Sequence, residues 1–128
     1  MERLRSRNVL VLEDESIIAL ELSVAIEDQG ARVFCAADCA AALGILDVEE
    51  VDAAVLDVNL GGETCERVAR RLRKRSIPFL LHTGDLRAAN ELVMRLGAPV
   101  APKPARQGEI EARLARLLGP ARDVPQPA

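Results

Sequence analysis

The chain has no tryptophan and no tyrosine, and Phe34 and Phe79 are its only aromatic residues. Proteins that hold single-stranded nucleic acid stack its bases on aromatic side chains, so that mode of binding is excluded. A formal charge of -3 also argues against nucleic acid as the main partner. No apolar run approaches the ~18 residues needed to cross a bilayer, so no membrane span is expected. Residues 1–7 are charged rather than apolar and offer no secretory signal, which points to a cytoplasmic protein. The cysteines at 35, 39 and 65 are odd in number and match no zinc or thioredoxin spacing. Cys35 reads as the end of a strand and Cys65 as part of an apolar helix face, both small core residues. A Cys35–Cys39 redox pair would lack flanking activating charges. Lysine is scarce as well: of 17 basic residues only Lys74 and Lys103 are lysines. Lys103, set between Pro102 and Pro104, stands out for that reason.

What the chain does have is 128 residues that are 49% hydrophobic, enough for one globular core. Short apolar runs alternate with longer helical periods, the mark of repeated βα units and a parallel sheet. The first strand is expected at about 8–12. A helix follows over about 15–29, with Ile18, Leu22, Ala25 and Ile26 on one face and Gly30 as its stop. A strand at 31–36 leads to Asp38, an N-cap for a helix to about 48. The third strand is 53–57, followed by a loop with Gly61 and Gly62. Thr64 is expected to cap a helix whose Cys65, Val68, Ala69 and Leu72 form an apolar stripe. Pro78 opens a fourth strand, a helix runs over about 86–96 to Gly97, and the fifth strand is 98–102. A last helix covers about 107–118. This gives an α/β fold, a doubly wound five-stranded parallel sheet in the order 2-1-3-4-5, flavodoxin-like (βα)5. Right-handed crossovers put helices one and five on one face and two, three and four on the other. Residues 1–118 form the domain, with a core at about 7–118. Residues 119–128, rich in proline, read as a frayed, disordered tail.

Four of the apolar runs stop at residues suited to phosphoryl chemistry. Val9 to Leu12 runs into Glu13 and Asp14, and Ala53 to Leu56 into Asp57. Phe79 to His82 runs into Thr83, and Ala98 to Pro102 into Lys103. In a parallel sheet these ends share one edge, where ligands of open α/β folds bind. Singly, each residue has an ordinary explanation: Asp14-Glu15-Ser16 would cap a helix, and Asp opens turns. Jointly they do not. Carboxylates in contact repel unless they are protonated or share a metal, and Mg2+ suits a shallow all-oxygen site. Lys103 would supply fixed positive charge and pair with Asp57. Thr83 could donate to a phosphoryl oxygen, and Asp57 could act as a nucleophile on phosphorus, giving an acyl phosphate. His82, a single His without a second ligand, is expected to pack or hydrogen-bond locally.

Over about residues 7–118 the chain resembles the receiver domain of two-component response regulators. The matching motifs are Val11-Leu12-Glu13-Asp14-Glu15, Leu56-Asp57-Val58-Asn59-Leu60, Thr83-Gly84 and Lys103-Pro104. The resemblance implies that Asp57 accepts phosphate from a phosphohistidine on a histidine kinase or histidine phosphotransfer protein. It implies that Glu13, Asp14, Asp57 and the backbone carbonyl of Asn59 hold Mg2+. Thr83 and Lys103 take the sensing and charge roles, and the Lys103–Pro104 peptide is cis. Such a domain is a signalling switch, not an enzyme beyond its own phosphorylation and dephosphorylation.

Three positions depart from the family's usual pattern. Glu13 stands where Asp is commoner, and its extra methylene still reaches a metal-bound water. Val100 stands where strand five usually has Tyr or Phe, so phosphate is expected to act by another route, ordering the loop at Asp85–Arg87. The segment 97–102 is short and proline-rich, which should stiffen that edge. The chain reads as a stand-alone receiver acting as relay, phosphate sink or phosphorylation-dependent switch for a downstream protein; a homodimer is left open. The basic residues Arg67, Arg70, Arg71, Arg73, Lys74 and Arg75 read as a solvated face of the third helix, with an acidic partner as the alternative. Two other functions compete: a receiver-like interaction module that is never phosphorylated, and a Toprim-like Mg2+-dependent phosphoester domain. The second fits poorly because Asp57-Val58-Asn59 lacks a second carboxylate.

Overall fold

The structure, a computed structural model, describes residues 2–120. Strands and helices alternate throughout: β1 (Asn8–Leu12), α1 (Ser16–Glu27), β2 (Arg32–Ala36), α2 (Cys39–Val48), β3 (Ala53–Leu56), α3 (Glu66–Lys74), β4 (Phe79–Thr83), α4 (Leu86–Leu96), β5 (Val100–Pro102) and α5 (Glu109–Leu118). The five strands pair in parallel, in the order β2-β1-β3-β4-β5. β3 and β4 are buried along their whole length, and β1 from Val9 onward. Covered on both faces, these strands have no polar side to show, hence their unbroken apolar runs.

Alternate residues feed two cores. Leu10, Leu12, Leu56 and Leu81 pack toward Leu46, Leu72 and Leu92 of α2, α3 and α4. Val9, Val11, Val55 and Leu80 face Ile26 of α1 and Leu114 of α5. Fully burying each such side chain is worth about 1.5–3 kcal/mol. The helices therefore divide between the faces as right-handed crossovers require.

Local signals set most boundaries. Asp38 caps α2, its side chain accepting from Ala41 N at 2.8 Å. Gly97 closes α4 in the left-handed region, φ 67°. Gly30, φ +93°, lies so close to the N-terminal arm that a Cβ would come within 3.0 Å of Arg5 Cα.

Several expectations need correction. β5 spans only Val100–Pro102 rather than 98–102, because Pro99 has no N–H to give the ladder. α5 starts at Glu109, since Gly108 adopts φ 82° immediately before it. Cys65, not Thr64, occupies the N-cap of α3; Thr64 Oγ1 accepts more loosely from Glu66 N at 3.3 Å. Cys35 is exposed rather than part of the core, because β2 is an edge strand and only its Ala36 is buried. Its Sγ lies 2.9 Å from Ser23 Oγ.

Just before β1, Arg7 Nη2 donates to the carbonyls of Leu118 at 3.4 Å and Pro120 at 3.1 Å. This cation satisfies acceptors that the end of α5 leaves open. Of the segment 119–128, read from sequence as a tail, residues 121–128 lie outside the described residues.

Candidate functional site

Register brings the strand ends level. Leu12 pairs with Leu56, Leu56 with Leu81, and Thr83 with Pro102. The next residues along the chain therefore meet at one edge: Glu13 and Asp14 after β1, Asp57 after β3, and Lys103 after β5. Thr83 ends β4 there. Glu13, Asp14 and Asp57 each offer a carboxylate oxygen within 4.8 Å of the others. Lys103 Nζ lies 2.7 Å from Glu13 Oε1 and 3.1 Å from Asp57 Oδ2. Glu13, Asp57 and Thr83 are buried, whereas Asp14 is exposed.

Charge here is unevenly held. Burial pushes the Asp57 carboxyl up to about 6; hydrogen bonding and repulsion from Glu13 add to this, and Lys103 opposes it. Burial also resists ionisation of Glu13, but hydrogen bonds from Lys103 and from the Glu15 N–H, at 3.2 Å, hold it below the usual carboxylate range. Desolvation disfavours the charged form of Lys103, yet its bonds to Glu13 and Asp57 keep it above its ordinary value. One ammonium thus serves two buried carboxylates.

The surrounding loops fix these groups. After Asp57, Leu60 N donates to Glu63 O at 2.9 Å and Cys65 N to Val58 O at 3.0 Å, closing the loop that carries Asn59. Gly61 lies against this site: at φ +63° a Cβ would sit 3.6 Å from Asp14 Oδ2. Thr83 Oγ1 accepts from Asp85 N at 3.0 Å, which leaves the hydroxyl proton free to donate elsewhere. The Lys103–Pro104 peptide is cis, as the resemblance implied. His82 is buried with Nδ1 3.0 Å from Ala101 O, and burial lowers its pKa. It bonds locally and takes no part in the carboxylate cluster.

Sequence reasoning singled out Asp85 only as the start of a loop that phosphate would order. Its carboxylate accepts from Asn59 Nδ2 at 2.9 Å and from Ala88 N at 3.1 Å. Only the second bond, an ordinary N-cap, had a signal in the sequence. The basic face of α3 is largely paired: Arg67 with Glu63, Arg70 with Glu66, and both Arg71 and Arg75 with Asp47. A groove of about 870 Å³ flanks the site between α1 and the segment after β5, with Ile18, Leu22 and Ile110 on its walls and Lys103 at one end.

Fold and edge together define a doubly wound α/β domain that gathers carboxylates and a lysine at its switch point. The response regulator receiver domain family matches residues 9–115, and the chain belongs to that family. It is 37% identical over 114 residues to the transcriptional regulatory protein TctD of Salmonella typhimurium, covering 86% of this chain and 51% of TctD. The chain thus spans about half the length of the curated relatives it matches. Among solved structures it is similar to the non-phosphorylated HemR receiver domain of Leptospira biflexa, with TM-score 0.79, 27% identity, and coverage of 93% of this chain and 99% of that one. It shares its fold with TrrA of Thermotoga maritima, solved in complex with Mg2+-BeF, at TM-score 0.77, 22% identity, and coverage of 88% and 99%. The receiver domain of the Pseudomonas aeruginosa sensor kinase PA1611, with magnesium in its active site cleft, matches at TM-score 0.75, 21% identity, and coverage of 88% and 96%. Among the described residues no helix is long and apolar enough to cross a membrane.

Proposed function

We propose that this receiver domain accepts a phosphoryl group on Asp57 from a phosphohistidine, with Mg2+ held by Glu13, Asp14, Asp57 and the backbone carbonyl of Asn59. The carrying observation is the convergence of three carboxylates within 4.8 Å, with Lys103 3.1 Å from the one after β3. The donor set fits a hard divalent cation: it is all oxygen, and it holds more negative charge than Lys103 offsets. The pKa of Asp57, about 6, reflects that shortage of positive charge as well as burial.

In the transfer, a carboxylate oxygen of Asp57 attacks phosphorus. The P–N bond breaks, its electron pair returns to the imidazole nitrogen, and an aspartyl phosphate remains. Bound Mg2+ supplies charge compensation to the phosphoryl oxygens. Lys103 offers a second positive charge, already within bonding distance of Asp57. Thr83 donates its hydroxyl proton to a phosphoryl oxygen while still accepting from Asp85 N.

A histidine kinase or histidine phosphotransfer protein is the fitting donor. Beside the site, α1 exposes Ile17, Leu20 and Val24, spaced to lie on one face. The segment from Glu13 to Ala31 contains acidic residues and no Lys or Arg. A helix with apolar and basic side chains complements that surface. In the cell the domain would act in the cytoplasm as relay, phosphate sink or phosphorylation-dependent binding switch.

The test is intact-mass measurement after treatment with acetyl phosphate and Mg2+. One acid- and base-labile phosphate is expected, and Asp57→Asn should abolish it. No adduct, or one that survives the substitution, rejects the assignment and favours an interaction module that is never phosphorylated.

A further inference from the structure

We propose that the outer face of α3, with its neighbours on α2 and α4, is a docking surface for an acidic segment of a partner protein. This surface is independent of the phosphoryl chemistry at Asp57. Arg67, Arg70, Arg71 and Lys74 recur at helical spacing, so they share the side of α3 turned away from the buried Val68, Ala69 and Leu72. Arg75 stands at the C-terminal end of the helix, and Arg95 reaches in from α4.

Carboxylates are too few to neutralise this ridge. Asp47 of α2 serves both Arg71, at 3.1 Å, and Arg75, at 3.7 Å. Glu66 serves both Arg70, at 2.6 Å, and Arg95, at 2.9 Å. Glu63 faces Arg67 at 3.5 Å, and Lys74 has no ion-pair partner among the described residues. Three carboxylates thus face six cations. Arg87 and Glu91, on the Arg95 side of α4 by their spacing, balance each other. Arg73 is engaged elsewhere, donating to the carbonyl of Leu96 and lying over the Phe79 ring.

The excess charge is accessible. The side chains of Arg67, Arg70 and Arg95 are 63%, 60% and 50% exposed. Ion pairs so open to water hold little energy, so an incoming carboxylate can replace Glu66 or Asp47 at small cost. Apolar contact is available on both sides, at the exposed Met94 of α4 and Val48 of α2. Opposite charge on a partner gives steering and register at such a surface. Nucleic acid fits less well: its unbroken phosphate charge would run over Glu63, Glu66 and Asp47, and the ridge has no aromatic ring for a base. The α1 face carries the opposite charge, so the two surfaces select different partners.

The test is an amide NMR titration of the full chain, unphosphorylated and at low salt, with the capped peptide EELEELEE as probe. Shifts should centre on α3 and Met94, leave α1 untouched, and fade at high salt. The double variant Arg67→Gln, Lys74→Gln leaves Asp47 and Glu66 with their partners. It should bind about tenfold more weakly, through the loss of two exposed ion pairs. Serine in place of the leucines of the peptide should weaken binding several-fold. No shifts on the ridge, or equal binding by the double variant, overturns the proposal. So does a DNA duplex that perturbs the ridge where the peptide does not. Ridge shifts that grow with protein concentration alone would make a second copy, through its acidic α1, the occupant, and overturn it too.

Discussion

Lys103 is bound more closely to Glu13 than to Asp57, at 2.7 Å against 3.1 Å. The ammonium is shared, with its shorter bond to the residue whose extra methylene lets it reach across the site. A divalent cation entering among the carboxylates must therefore compete with Lys103 for the same two side chains.

Lys103→Met should tighten Mg2+ binding roughly tenfold, a small part of what one nearby charge can contribute at an effective dielectric of about 20. It should also slow adduct formation by about tenfold or more, because a charge facing the transferring group is lost. Calorimetry is the suitable probe, since the chain has no Trp or Tyr to report binding. Unchanged Mg2+ affinity would mean that Lys103 does not compete.

Asp57 makes the metal-free domain sensitive to pH. Its carboxyl is raised from 3.8 to about 6 in the folded state. The folded form thus holds its proton more tightly than the unfolded one, and stability declines as pH climbs from about 4 to about 6. Asp57→Asn should be more stable than the wild type at pH 7 by on the order of 2 kcal/mol, with the gap closing by about pH 4. His82 works in the opposite sense: burial lowers its pKa, so its contribution is lost as pH falls below 6.5. Urea midpoints of both proteins at each pH isolate the Asp57 part. A variant weaker than the wild type at pH 7 would contradict this.

The three thiols should differ sharply. Cys39 and Cys65 are fully buried, and burial pushes their pKa values to about 11 and about 12. Cys35 is exposed. One equivalent of a thiol reagent should react with the native protein, and all three cysteines only after unfolding. Labelling followed by peptide mapping checks which sulfur reacted.

Two glycine substitutions should move stability in opposite directions. Gly30→Ala puts a Cβ 3.0 Å from the Arg5 Cα at φ +93°, and should destabilise by about 1–2 kcal/mol. Gly44 lies within α2 with nothing within 4 Å of an added Cβ. Gly44→Ala should stabilise by about 0.5–1 kcal/mol. Thermal melts of the two variants beside the wild type give both signs.

Sequence reasoning reached the order of the sheet because buried parallel strands leave continuous apolar runs and caps such as Asp38 and Gly97 mark helix ends. The meeting of Glu13, Asp14, Asp57, Thr83 and Lys103 at one edge followed from that order. Three features did not. The exposure of Cys35 depends on β2 standing at the rim of the sheet, where only Ala36 of the strand is buried. The sharing of Lys103 between Glu13 and Asp57 depends on tenths of an ångström. The bond from Asn59 to Asp85 joins residues 26 apart, and no local pattern in either segment announces it.

The clasp of Arg7 on the carbonyls of Leu118 and Pro120 gathers the first and last described turns of the chain at the pole opposite Asp57. A dye or surface tether attached within this clasp would sit at the far end of the strands from the acidic pocket. Immobilised preparations should therefore leave it open to approaching proteins.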